Sequence, residues 1–132
     1  MFSVTPQNTK LGADAIIVSN HGGRQLDGAL SSIRALEPIV KAVGDKTEIW
    51  MDSGIRTGQD VLKAVALGAK GTMSGRAWLY GLGAMGEQGV TKALEVIHRE
   101  LDLSMAFCGK RNIKDVDRDI LLVPKGFSGE WG

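Results

Sequence analysis

Short apolar runs alternate with amphipathic stretches along this chain. The first run is Ala15-Ile16-Ile17-Val18, which breaks at Ser19-Asn20-His21-Gly22-Gly23. A short β-branched run ended by a glycine-rich polar cluster predicts a buried parallel strand. Residues 30–43 carry Ile33, Leu36, Ile39, Val40 and Val43 at helical spacing, with Ser31 or Ser32 placed to cap the start and Gly44 to end it. Pro38 must fall in the first turns of that helix or kink it. A second strand is predicted at Glu48–Met51 and a second helix over 58–67, with Val61, Leu62, Val65 and Ala66 inward and Gly68 as its stop. A third strand is predicted at Gly71–Ser74, followed by a helical stretch over 77–80. A long amphipathic helix over 87–107 sets Val90, Ala93, Leu94, Ile97, Leu101 and Met105 on one side, and a brief segment follows at 113–117.

Strand and helix therefore alternate three times, which predicts a parallel sheet with right-handed crossovers. The strands start roughly 30 and then about 25 residues apart, the spacing of β/α units. Residues 1–11 hold Pro6 and Asn8 and show no period, so they read as a poorly ordered lead-in; 12–122 form the α/β body, and 123–132 read as a mobile tail.

Bulk properties narrow the partners. At 132 residues the chain can bury about two-thirds of its unfolded surface, enough for a real core. A net charge of +1, with no long block of like charges, predicts neither nucleic-acid binding nor attraction to an anionic membrane. No apolar run approaches the ~20 residues that span a bilayer, and the first residues lack the pattern of a secretory leader. Cys108 is the single cysteine, so no internal disulfide can form; a reducing, cytoplasmic setting is expected. Its neighbours Met105, Ala106 and Phe107 predict a buried thiol. The 18 glycines point to tight turns or close backbone approach to a ligand.

Each predicted strand ends in a polar, glycine-rich cluster: 19–28, 52–58 and 74–76. In a β/α barrel the active site lies at the C-terminal ends of the strands. The second and third clusters join Gly to Arg just before a helix. Glycine admits an anion, helix starts offer free N–H groups, and Arg forks onto phosphate oxygens. Each cluster alone also suits a surface turn with a solvated arginine; the two in this order favour phosphate. In the first cluster His21 can take a proton and Arg24 can hold a carboxylate. Spacing alone suits a turn histidine bonded to backbone equally well. His98, amid charges in mid-helix, reads as a surface residue.

The stretch SNHGGRQLDG resembles the signature of the FMN-dependent 2-hydroxy-acid oxidising family, which includes glycolate oxidase, lactate oxidase and mandelate dehydrogenase. DSGIRTGQDVLKAVALGAKG and SGRAWLYGLGAMGEQGV are similar to its two later blocks, in order and spacing, so the likeness covers roughly 12–122. The resemblance implies the C-terminal part of a TIM (β/α)8 barrel, about three parallel strands with helices. It implies FMN as cofactor and a small 2-hydroxy acid such as lactate as substrate. It also implies His21 as the base, Arg24 as the carboxylate ligand, and Asp52, Ser53, Gly54, Arg56, Gly75 and Arg76 around the flavin ribityl and phosphate groups, with no metal. Ser53 stands where many members have glycine, with little effect expected.

The family barrel has eight strands and this chain supplies about three. The expectation is a piece of the enzyme, whose open sheet edges favour self-association or docking to a missing part, and whose own turnover is negligible. Two other readings stand beside it: a non-catalytic remnant that binds FMN or phosphate, and another phosphate-binding barrel of the inosine-monophosphate dehydrogenase type.

Overall fold

The computed structural model describes residues 12–127; the expected lead-in over 1–11 and the last five residues of the expected tail lie outside them. Three parallel strands, β1 (Ala15–Val18), β2 (Glu48–Asp52) and β3 (Gly71–Met73), lie in the order β1-β2-β3. Helix α1 (Ser32–Val43) connects the first pair, α2 (Gly58–Ala66) the second, and α3 (Arg76–Phe107) follows β3. This is the predicted alternation, an α/β arrangement of three parallel strands with helices.

The pleat divides the sheet's residues. Ile16, Val18, Ile49 and Met51 face α1 and α2, where Val18, Ile49 and Met51 join Leu36, Ile39, Val43, Ala64 and Leu67 in one buried cluster. On the opposite face Ile17 is 51% exposed, Met73 is 42% exposed and Trp50 is partly covered. The expectation that β1 is buried throughout is therefore corrected: helices cover one face, and Ile17 on the other is left half exposed.

Most predicted boundaries hold within two residues. Pro38 lies in the second turn of α1, and the helix runs through it. Neither candidate serine caps α1 with its hydroxyl. Ser31 occupies the cap position but makes no side-chain cap bond, and Ser32 Oγ instead accepts from the Asn20 backbone N–H at 3.0 Å. At α2 the Thr57 hydroxyl accepts from Asp60 N–H while the Asp60 carboxylate reaches back to the Thr57 N–H, a reciprocal capping box. The two helical stretches predicted at 77–80 and 87–107 belong to one element broken at Met85 and Gly86, whose backbone is not helical. Cβ atoms built on Gly81 and Gly89 would run into each other's backbone, so the two halves cross at this glycine pair.

A smaller cluster joins Leu62 and Ala66 of α2 to Met105 and Val116. The chain beyond α3 is clasped to it. Lys110 Nζ meets the Asp117 carboxylate at 3.1 Å, holding that carboxyl below its ordinary value. Arg118 Nη1 meets Glu37, a buried acid on α1 that also pairs with Lys41, at 2.6 Å. Phe127, in the first half of the expected tail, packs against the main cluster. Cys108 is exposed, which corrects the expectation of burial: it follows the last turn of α3, where Phe107 is itself 89% exposed.

Two substitutions test this packing. Leu36, fully buried, should cost about 2–5 kcal/mol as Leu36→Ala. Gly58, whose Cβ would collide with the backbone of Leu101 and Glu100, should cost about 1–3 kcal/mol as Gly58→Ala. Both should lower the urea midpoint; an unchanged midpoint for Gly58→Ala would mean that α2 and α3 are not in close backbone contact.

Candidate functional site

The parallel register aligns the strand ends. Val18 pairs with Met51 and Asp52 with Met73, so the three polar clusters leave the sheet at one end. There His21–Gly23 form a short 3-10 turn with φ of 54° at His21, 68° at Gly22 and 73° at Gly23. Left-handed backbone is easy for glycine and costs a histidine of order 1–3 kcal/mol. The turn is held at several points. Gly23 N–H donates to Asn20 O at 3.0 Å, His21 N–H to Ser19 Oγ at 3.0 Å, and Gly22 N–H to Ser53 Oγ at 3.0 Å. Arg76 Nη2 donates to Gly22 O at 3.2 Å. A Cβ on Gly22 would stand 2.7 Å from that guanidinium, so glycine is what lets Arg76 lie there.

Asp52 ends the central strand. Its Oδ2 accepts from Ser19 Oγ at 2.8 Å and from Ser53 Oγ at 3.2 Å. Ser53 adopts φ 78° and Gly54 φ 84°, two consecutive left-handed residues that turn the chain out of β2. The Ser53 side chain does more than occupy space where a glycine would serve: it links Asp52 to the His21 turn. Ser74 Oγ closes the far side by donating to Ile55 O at 2.9 Å.

The two helix starts differ. At α2 the Asp60 carboxylate takes the N–H groups of Arg56 and Thr57, both at 3.0 Å, so the helix supplies its own anion. At α3 the cap residue is Gly75, which makes no side-chain cap bond. The expected symmetry of two anion-binding helix starts thus reduces to one free start, that of α3.

An open cleft of about 460 Å³ is lined by His21, Arg24, Asp52, Ser53, Gly54, Gly75 and Arg76. Of the residues singled out from sequence, Arg56 alone is absent from it; Arg56 lines a neighbouring cleft of about 470 Å³ with Arg76, Tyr80 and Val96. Ser19 and Asn20 escaped individual notice in the sequence. Their roles depend on partners ten or more residues away, at Leu30, Ser32 and Asp52, and the available signal was their place between a strand and a glycine-rich turn. Among the described residues no group of acids, histidines and cysteines could hold a metal, and no helix is long and apolar enough to cross a membrane.

Residues 6–123 match the model of the FMN-dependent dehydrogenases. The chain belongs to the FMN-dependent dehydrogenase family. It is 54% identical over 111 residues to an L-lactate dehydrogenase of Azorhizobium caulinodans, covering 84% of this chain and 29% of that protein. It is 48% identical over 121 residues to a pre-mycofactocin synthase of Mycolicibacterium smegmatis, covering 92% of this chain and 30% of that protein. The fold superposes on a soluble mutant of the membrane-associated (S)-mandelate dehydrogenase of Pseudomonas putida with a TM-score of 0.84 and 42% identity, covering 88% of this chain and 33% of the other. A mandelate oxidase variant carrying a monooxide FMN adduct superposes with a TM-score of 0.81 and 44% identity, covering 85% and 36%. This FMN-dependent dehydrogenase chain spans about three-tenths of the length of the curated relatives it matches.

Gly22→Ala tests the turn. It forces a side chain into φ 68° and against Arg76. It should lower stability by about 1–3 kcal/mol in thermal melting. A melt superimposable on the parent's would show that the turn does not hold this conformation.

Proposed function

We propose that this chain forms the proton-abstracting and flavin-phosphate end of an oxidoreductase that converts a small L-2-hydroxy acid, such as lactate, to its 2-oxo acid. The observation that carries the reading is the single cleft shared by His21, Arg24, Asp52, Gly54, Gly75 and Arg76 at the strand ends. FMN, when bound, accepts the two electrons that leave the substrate. His21 is the base: its imidazole borders the open cleft and takes the substrate's proton. Arg24, three residues on in the same turn, holds the substrate carboxylate with its planar fork.

The remaining residues suit an anionic, hydroxyl-bearing cofactor. Cβ positions at Gly54 and Gly75 point into open space, leaving backbone accessible to a bulky group. The uncapped start of α3 offers N–H groups and the positive end of a helix dipole, with Arg76 beside it. Phosphate therefore belongs at Gly75 and Arg76, with Arg56 reaching from the adjacent cleft. Asp52 and Gly54 take the ribityl hydroxyls, and Ser53 orients Asp52. The similarity to an L-lactate dehydrogenase and to a mandelate dehydrogenase supports a 2-hydroxy acid. A second reading, FMN binding without turnover, is favoured for the isolated chain by the short share of its relatives that it spans.

Titration of FMN into the chain, followed by flavin fluorescence, should give weak, saturable quenching. Arg76→Ala removes a charge-assisted contact worth about 1.5–3 kcal/mol, so affinity should fall about tenfold or more. Arg56→Ala with Arg76→Ala should abolish the quenching, and a double variant that binds as well as the parent defeats the assignment. Turnover with lactate or glycolate should be negligible; a robust rate would overturn that expectation.

Self-association is proposed as well. The outer edges of β1 and β3 have no partner strand among the described residues, and Ile17 and Met73 lie exposed on one face. Sedimentation should show a concentration-dependent mass above 14.1 kDa; a monomer at all concentrations would refute it.

A further inference from the structure

Two consecutive backbone N–H groups, of His21 and Gly22, each end on a serine hydroxyl, and both hydroxyls end on one carboxylate oxygen. His21 N–H donates to Ser19 Oγ at 3.0 Å, and Ser19 donates to Asp52 Oδ2 at 2.8 Å. Gly22 N–H donates to Ser53 Oγ at 3.0 Å, and Ser53 donates to Asp52 Oδ2 at 3.2 Å. A hydroxyl has a single proton, and a backbone N–H can only donate. Each serine therefore faces its lone pairs to the turn, and its one proton goes to Asp52 or to the other serine, so that either way the chain of bonds ends on the carboxylate. The two serine oxygens lie 3.2 Å apart, and with both protons on Asp52 that contact carries none.

We propose that Ser19 and Ser53 are positioning residues: a pair of one-way hydroxyl relays that make the His21 turn depend on the charge of Asp52. The assignment deepens the reading of His21 as the base and Asp52 as a flavin contact, and rests on it. Chains of hydrogen bonds strengthen when they end on an anion, so each N–H is held more firmly than a neutral hydroxyl alone would hold it. Oδ2 is thereby committed to the protein. Among the described residues Oδ1 takes no hydrogen bond, and Asp52 is one of the residues that line the cleft. One carboxylate thus sets the histidine with one oxygen and offers the other to a ligand. The strained residues coincide with the relays: His21 at φ 54° and Ser53 at φ 78° are the non-glycine residues of positive φ among those described.

The test is the amide spectrum of the ¹⁵N-labelled full chain without flavin. Ser19→Ala should move the His21 amide proton upfield, and Ser53→Gly the Gly22 amide proton. Glycine suits φ 78°, so the second variant deletes the hydroxyl without threatening the fold. Asp52→Asn should move both, although Asp52 touches neither amide. Ser19→Thr, which keeps the hydroxyl, should restore the His21 signal. An unmoved pair in Asp52→Asn, or failure of threonine to rescue, overturns the relay. If Ser19→Ala does not fold, Ser53→Gly and Asp52→Asn decide the same question at Gly22. Since no flavin is present, this result is separable from the cofactor reading. Titrating FMN into the same sample then reports on the latter: loss of binding in the arginine variants with the relay intact, or an intact relay with no binding in the parent.

Discussion

Asp52 places a charge at the end of the central strand of a small sheet, half removed from water. Such a group must be satisfied by hydrogen bonds or it costs several kcal/mol. Its two donors come from different loops, Ser19 after β1 and Ser53 after β2. Satisfying one oxygen therefore fixes the relative position of two strand ends. The tie extends to the third through the carbonyl of Gly22, which accepts from Arg76 at the start of α3. The buried cluster of Leu36, Val43, Ile49 and Met51 holds the helices on the sheet, but it does not determine how the loops meet. That is the work of the Asp52 network, and every candidate role in the cleft depends on it.

Much of the scaffold could be read from periodicity. β1 spans the four apolar residues expected, and the break at Met85 and Gly86 falls between the two helical stretches read separately. These are local signals: a short β-branched run, or a glycine that interrupts a helical stripe. Failures occurred where a distant partner decided. Ser32 looked like a helix cap, but its hydroxyl serves Asn20 twelve positions earlier. Glu37 drew no notice in the sequence, yet it is buried against Arg118 from 81 positions later. Cys108 had apolar neighbours in sequence, and neighbours in sequence at the end of a helix need not be neighbours in a core. The capping box at Thr57 and Asp60 was legible in principle, since the pair stands three residues apart before an apolar run. Reading it would have shown that α2 fills its own anion site.

Differently named relatives share this segment to similar extents, 54% for an L-lactate dehydrogenase and 48% for a pre-mycofactocin synthase. What such relatives share points to the common part of their chemistry. The elements visible in this chain are structural in this sense: a turn that holds His21, a carboxylate that anchors that turn through two serines, and a helix start without a side-chain cap. The face of the sheet bearing Ile17, Trp50 and Met73 is left partly open, with Ile17 51% and Met73 42% exposed.

The energetics of the His21 turn explain why its serines matter more than their size suggests. Holding His21 and Ser53 in left-handed backbone costs about 1–3 kcal/mol each. A neutral hydrogen bond returns about 0.5–1.5 kcal/mol net, and one to a charged group about 1.5–3 kcal/mol. Neutral bonds alone would leave the turn near balance, free to exchange with relaxed conformers. Ending both relays on an ionised carboxylate shifts that balance toward the strained form. A positively charged Arg76 on the Gly22 carbonyl adds to it from the opposite side. The conformation that places His21 at the cleft therefore rests on the charges at the strand ends, which hold the turn as well as line the site.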